Sequence, residues 1–133
     1  MAVARAETRG LTGVWVFCAG GVGAALRYLL DGFVQERWNG AFPMGTATVN
    51  LLGALLLGLL TGFATAHASL SPSVRSVVGT GLLGAFTTFS TLTYESLRLL
   101  REGARRYAVT NLLGTTALGM GLAAIGLALG RNL

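Results

Sequence analysis

Four apolar stretches, at about residues 11–31, 45–67, 74–98 and 106–130, take up most of this 133-residue chain. Each is long enough to cross about 30 Å of hydrocarbon as a helix rising ~1.5 Å per residue. The second stretch carries no charged residue, and the fourth carries none beyond Arg106. Lipid supplies no hydrogen bonds, so a spanning backbone must satisfy its own amides and carbonyls, which a helix does within one segment. The expected fold is therefore an all-α, multi-pass integral membrane protein, a single transmembrane domain over residues 1–133. Pro43 and Pro72 precede the second and third stretches, at positions where proline suits a helix start. The connectors are short, so neighbouring helices should run antiparallel.

A soluble fold is excluded by how little polar surface the chain has. Hydrophobic residues make up 53% and charged residues 11%, where a soluble domain has about 25% charged. The net charge of +5 comes from arginines at the ends of the apolar stretches. That placement suits lipid headgroups, not one basic face, so the bilayer is the expected partner and nucleic acid is not. The single cysteine, Cys18, rules out an internal disulfide and reads as a packing residue. The first apolar run is span-length and too long for the core of a cleavable signal peptide. Two small-residue stripes, Ala54/Gly58/Gly62 and Gly126/Gly130, mark expected helix–helix contacts in lipid.

Orientation is poorly encoded. With four spans, Arg5, Arg9, Arg75 and Arg131 fall on one side of the membrane. Arg37, Arg98, Arg101, Arg105 and Arg106 fall on the other, with Arg27 near them. The positive-inside rule acts on the difference, which here is slight. Either the chain inserts both ways, permitting an antiparallel pair, or the loop bearing Arg101, Arg105 and Arg106 fixes one orientation.

Enzymatic constellations are missing. His67 has no carboxylate or cysteine at ligand spacing, and no base accompanies the many serines and threonines. Gly20, Gly21 and Gly23 complete no nucleotide-binding fingerprint. The third stretch is the most polar, running Gly79-Thr80-Gly81-Leu82-Leu83-Gly84-Ala85-Phe86-Thr87-Thr88-Phe89-Ser90-Thr91-Leu92-Thr93-Tyr94-Glu95. Three glycines and clustered β-branched threonines weaken a helix, and a break there near mid-membrane frees carbonyls that need a partner. The hydroxyls of Thr87, Thr88, Ser90, Thr91 and Thr93 are donors able to line a path. Phe86 and Phe89, three apart, should share a helical face. Asn50 is costly in an apolar run unless paired; its NH2 either bonds across helices or donates to an anion. Arg27, about a turn from the expected end of the first helix, either snorkels to the interface or draws anions into a vestibule. Neutral donors with no acid at mid-span favour an anion path. Phenylalanine edges suit an anion too, being the positive rim of the ring quadrupole.

These residues resemble the CrcB/Fluc family of fluoride channels. The first helix has Gly20-Gly21-Val22-Gly23-Ala24-Ala25-Leu26-Arg27-Tyr28, like the family's Gly-Gly-x-x-Gly-Ala-x-x-Arg-Tyr with one glycine displaced by a place. The second has Gly45-Thr46-Ala47-Thr48-Val49-Asn50-Leu51-Leu52-Gly53, like Gly-Thr-Leu-x-x-Asn-x-x-Gly. The third has Gly84-Ala85-Phe86-Thr87-Thr88-Phe89-Ser90-Thr91, and the fourth Asn111-Leu112-Leu113-Gly114-Thr115. Ala85 stands where a second glycine is common, and Thr115 where serine is common.

The resemblance implies more than the residues do alone. It implies a passive fluoride-selective channel in the plasma membrane, built as an antiparallel dual-topology homodimer with two pores. Asn50, Phe86, Phe89, Thr88, Ser90, Thr91 and Thr115 would line the fluoride path, with Arg27 in the vestibule. A structural Na+ at the dimer centre would be held by the backbone carbonyls of Gly84 and Thr87. No nucleotide is implied. The competing reading is a small dual-topology proton-coupled cation exporter. That class relies on a carboxylate embedded in the first helix, where this chain has only Asp31, at the expected helix end.

Overall fold

A computed structural model describes residues 2–67 and 70–133, with side chains from residue 10 onward. Met1 and the side chains of Arg5 and Arg9, counted above in the charge balance, lie outside the described residues. Among the described residues the fold is all helical, in four segments. Helix α1 is Ala2–Arg37 and α2 is Met44–Ala66. The third segment is split into α3, residues 72–86, and α4, Phe89–Arg101. Helix α5 is Arg105–Arg131. By length and composition, α1 from Gly10 onward, α2 and α5 are each able to cross a membrane.

Helix α1 outruns its expected end at residue 31. No proline interrupts it before Arg37, whose guanidinium donates to Phe33 O at 3.0 Å and lies 3.5 Å over the Phe33 ring. A cation there also suits the negative end of the helix dipole. Arg27 and Asp31 consequently sit inside the helix, Arg27 about 15 Å from its C-terminus at ~1.5 Å per residue. Neither occupies the last turn, as the sequence had placed them. Cys18 is exposed on the outer face of α1 instead of packed inside, because no other described helix covers that face.

Helix ends are set by local chemistry. Pro43 at the start of α2 gives no side-chain cap; Gln35 of α1 reaches over and accepts from Gly45 N at 3.2 Å. Ser71 caps α3, accepting from Val74 N, with Pro72 in the first turn. Within α3 the stretch Ser76–Leu83 widens to π-helix, and Thr110–Gly114 does so within α5. Helix α4 closes on Gly103 at φ 81°, a left-handed backbone that glycine adopts without strain. Gly103 N donates to Leu100 O and Ala104 N to Leu99 O, so a Schellman turn takes up the terminal carbonyls.

The tightest packing joins α2 to α5. A Cβ on Gly58 or Gly62 would collide with the carbonyls of Ala123 or Leu127. One on Gly126 or Gly130 would collide with those of Leu55 or Leu59. The two glycine stripes thus face each other and let the backbones touch. Hydrophobic driving force is weak between helices in lipid, so such close contact is what holds them. Helices α1 and α3 meet the same way, Gly23 against the Leu82 carbonyl and Gly81 against that of Val16. A Cβ on Gly20 would lie 3.8 Å from the Ala85 methyl, ordinary van der Waals contact, so α1 accommodates Ala85 without strain.

Gly126→Leu should force α2 and α5 apart and cost at least the ~1–3 kcal/mol typical of overpacking. Gly121→Ala, with nothing within 4 Å of the added methyl, should cost almost nothing. Thermal unfolding in detergent, followed by size-exclusion recovery, separates the two outcomes.

Candidate functional site

The site is built on the two residues that separate α3 from α4. Thr87 has φ −79° and ψ 158°, and Thr88 has φ −148° and ψ 118°. Both are extended, so the helical ladder stops at Phe86 and restarts at Phe89. The lost bonds are replaced from α2. The Asn50 carboxamide donates through Nδ2 to Thr88 O at 2.9 Å and accepts from Thr88 N at Oδ1 at 2.7 Å. One side chain thereby satisfies both polar groups of one extended residue. The second Nδ2 hydrogen is left over from the amide's inventory of two donors.

Gly53, one turn on from Asn50, makes this approach possible. A Cβ there would strike the Thr87 methyl and lie 3.2 Å from the Phe86 ring. The hydroxyls then gather. Thr88 Oγ1 caps α4 by accepting from Thr91 N at 3.2 Å; it donates to Thr91 Oγ1 at 3.0 Å and lies 3.2 Å from Ser90 Oγ. Thr87 and Thr93 do not join this cluster. Thr87 Oγ1 bonds back to Leu83 O at 3.3 Å, and Thr93 Oγ1 to Phe89 O and Ser90 O.

Two cavities meet at Thr88. One, of about 280 Å³, is open and is lined by Asn50, Thr87, Thr88, Phe89, Leu92 and Thr115 among others. The other, of about 200 Å³, is lined by Arg27, Tyr28, Asp31, Thr46, Val49, Thr88 and Thr91. It shares Tyr28 and Asp31 with an outer hollow of about 560 Å³. So the fold brings Arg27, Thr88 and Thr91 to one cavity, and Asn50, Thr88, Phe89 and Thr115 to the next. Ser90 reaches the site only through Thr88, and Phe86 lines neither cavity.

The expectation that Phe86 and Phe89 share a helical face does not hold, because the extended pair between them removes the helical periodicity. Phe86 is buried at 7% exposure under Gly53, whereas Phe89 is 69% exposed.

The break also strips helical donors from the carbonyls around it, those of Gly84 and Thr87 among them. In an unbroken helix the Thr88 amide would bond Gly84 O; here it goes to Asn50 Oδ1. The Thr91 amide would bond Thr87 O; here it goes to Thr88 Oγ1. Gly84 is exposed, and only the Thr87 hydroxyl approaches its carbonyl, at 3.5 Å. Two neutral oxygens without backbone donors suit a hard cation, which takes oxygen ligands, though one protomer's pair is fewer than such an ion takes.

Three polar contacts escaped the sequence reading. Thr46, almost fully buried, donates to Glu95 Oε1 at 3.0 Å. Asn111, at 0% exposure, donates to Ser96 Oγ at 3.0 Å, tying α5 to α4. Gln35 caps α2 from α1. The available signal was an amide or acid inside an apolar stretch, which demands a partner but does not name it.

The CrcB family profile, described as "CrcB-like protein, Camphor Resistance (CrcB)", matches residues 14–127. The chain belongs to the CrcB family. Among its relatives, "Fluoride-specific ion channel FluC 1" of Streptomyces avermitilis is 47% identical over 114 residues, covering 84% of this chain and 91% of the relative. "Fluoride-specific ion channel FluC 1" of Frankia casuarinae is 48% identical over 120 residues, covering 87% and 93%. "Fluoride-specific ion channel FluC" of Aquifex aeolicus is 42% identical over 118 residues, covering 89% and 95%. The CrcB match begins after the first thirteen residues and runs through Asn50, the Thr87–Thr88 pair and Thr115.

Replacing Asn50 with Leu should strand the Thr88 amide and carbonyl, each orphan costing about 1–3 kcal/mol. Thr88→Val, which removes the cap of α4 but not the clamp, should cost about 1 kcal/mol. Thermal unfolding should rank wild type above Thr88→Val and that above Asn50→Leu; the reverse order would mean the clamp is not what holds the break.

Proposed function

We propose that this CrcB-family chain is a fluoride-selective channel that lets F⁻ leave the cell passively. The observation that carries the reading is the non-helical Thr87–Thr88 joint. It is held by Asn50, ringed by hydroxyls and flanked by two cavities, in an otherwise apolar helical body. Fluoride is small and strongly hydrated, so removing its water requires several close donors at once. Ser90, Thr91 and Thr115, with the spare Asn50 hydrogen, are such donors, Thr88 joins them when its hydroxyl turns from Thr91, and none is a cation that would trap the ion. Phe89, and Phe86 from the other side of the joint, would offer ring edges. Arg27, in the cavity next to Thr88, would raise the local anion concentration at the entrance. The chemistry gives the benefit. HF crosses a bilayer uncharged, dissociates near neutral pH and leaves F⁻ trapped, so a passive route down the membrane potential lowers it.

The reading extends to assembly. The working unit would be an antiparallel dual-topology homodimer in the plasma membrane, with two pores and with the Thr87–Thr88 joint near mid-membrane. The nearly even arginines are compatible with insertion both ways. The carbonyls of Gly84 and Thr87, doubled by a two-fold axis, would form an oxygen cage for a structural Na+.

Purified protein in liposomes loaded with fluoride, voltage-clamped by a potassium ionophore, should release F⁻ and retain Cl⁻. Phe86→Ile and Asn50→Ser should each slow release by roughly tenfold or more, the effect of losing ~1.4 kcal/mol at the barrier. Equal chloride and fluoride fluxes, or wild-type flux in both variants, would overturn the assignment. For topology, single cysteines placed in the loops on a Cys18→Ser background should react from both sides of the membrane in cells. Reaction from one side alone excludes the antiparallel dimer.

A further inference from the structure

We infer that the outer face of α4 and α5 holds one anionic phospholipid. An acyl chain would lie in the groove between them and the headgroup phosphate on the arginines at its mouth. The groove has a volume of about 310 Å³ and is lined by Leu97, Leu100, Ala108, Val109, Leu112 and Leu113 among others. Leu97, Leu100, Val109 and Leu113 are each about half exposed or more, so nothing among the described residues covers it. Along α4 it runs from Thr93 to Leu100, roughly 10 Å at ~1.5 Å per residue. That is the length of part of one acyl chain.

What selects an anionic lipid is the charge at one end. Arg98 and Arg101 occupy the last turn of α4, and Arg105 and Arg106 the first turn of α5, all exposed. The one acid among them, Glu102, faces Arg98, with 3.7 Å between Nε and Oε1. Arg101, Arg105 and Arg106 have no ion pair among the described residues. Helix stability does not account for Arg105 and Arg106, since a cation at a helix N-terminus opposes the dipole. Basic clusters where membrane helices meet the interface bind anionic headgroups, and Tyr107 beside them is an interfacial aromatic. An apolar slot between two helices whose adjoining ends carry these arginines matches the two ends of a phospholipid. The inference rests on the membrane-spanning reading of α4 and α5, and not on which ion is conducted.

Native mass spectrometry of the intact protein from mixed micelles of equal phosphatidylglycerol and phosphatidylcholine tests it. Wild type should keep phosphatidylglycerol several-fold in preference. Combined Arg101→Gln, Arg105→Gln and Arg106→Gln should bring the preference to about one. Arg75→Gln with Arg131→Gln, which removes charge elsewhere, should leave it intact. Val109→Phe, which fills the groove, should reduce retention of both lipids, whereas Ile125→Phe on another exposed face should not. Preference surviving the triple substitution, or retention surviving Val109→Phe, overturns the proposal. So does efficient disulfide formation by Leu113→Cys on a Cys18→Ser background, which would place a second copy over the groove. Absence of fluoride flux would sink the channel reading and leave these lipid ratios unchanged.

Discussion

The Asn50–Thr88 pair is the contact on which the third segment depends. Water would satisfy a broken helix at no special cost, but a bilayer leaves an orphan amide or carbonyl several kcal/mol uphill. Asn50 answers both groups of Thr88 from one rigid position on α2. Because the carboxamide is short, α2 must come close. Gly53 lets it do so against Thr87 and Phe86. Asn50 thus fixes backbone geometry first, and its chemistry toward an ion comes second.

The same closeness propagates outward. Helix α2 is pinned on its other side by α5, through Gly58, Gly62, Gly126 and Gly130. It is pinned at its start by Gln35 of α1. Helix α1 is pressed on α3 by Gly23 and Gly81. Small residues therefore set the distances, and those distances decide whether one amide reaches one backbone residue. A methyl group at any of these glycines would collide with the facing helix. The hydroxyl cluster follows, since Asn50 holds Thr88 in the extended conformation. In that conformation its side chain both caps α4 and reaches Thr91.

Much of this was legible in residue order. Apolar length alone calls for helices, because lipid leaves a spanning backbone few alternatives. The glycine stripes announced close contact, and the glycine- and threonine-rich third stretch announced a weak helix. Other features were not legible. The extent of α1 depends on Arg37 bonding back to Phe33, a side-chain choice that periodicity does not record. That extension turns Arg27 and Asp31 from terminal residues into residues of a cavity wall. The phenylalanine pair looked like one face only as long as the helix was assumed continuous.

What the sequence determined by itself is the solvent and the parts. The chain must live in lipid, must be helical, and carries amides and hydroxyls where lipid offers them no partner. Tertiary structure alone decided who the partners are. Asn50 meets Thr88, thirty-eight residues away, and Asn111 meets Ser96, fifteen away. Thr46 meets Glu95, forty-nine away. Spacing along a chain limits contacts within one helix, where three and four residues make neighbours. Contacts between helices depend on rotation and depth, which packing of small residues sets and which no local pattern encodes.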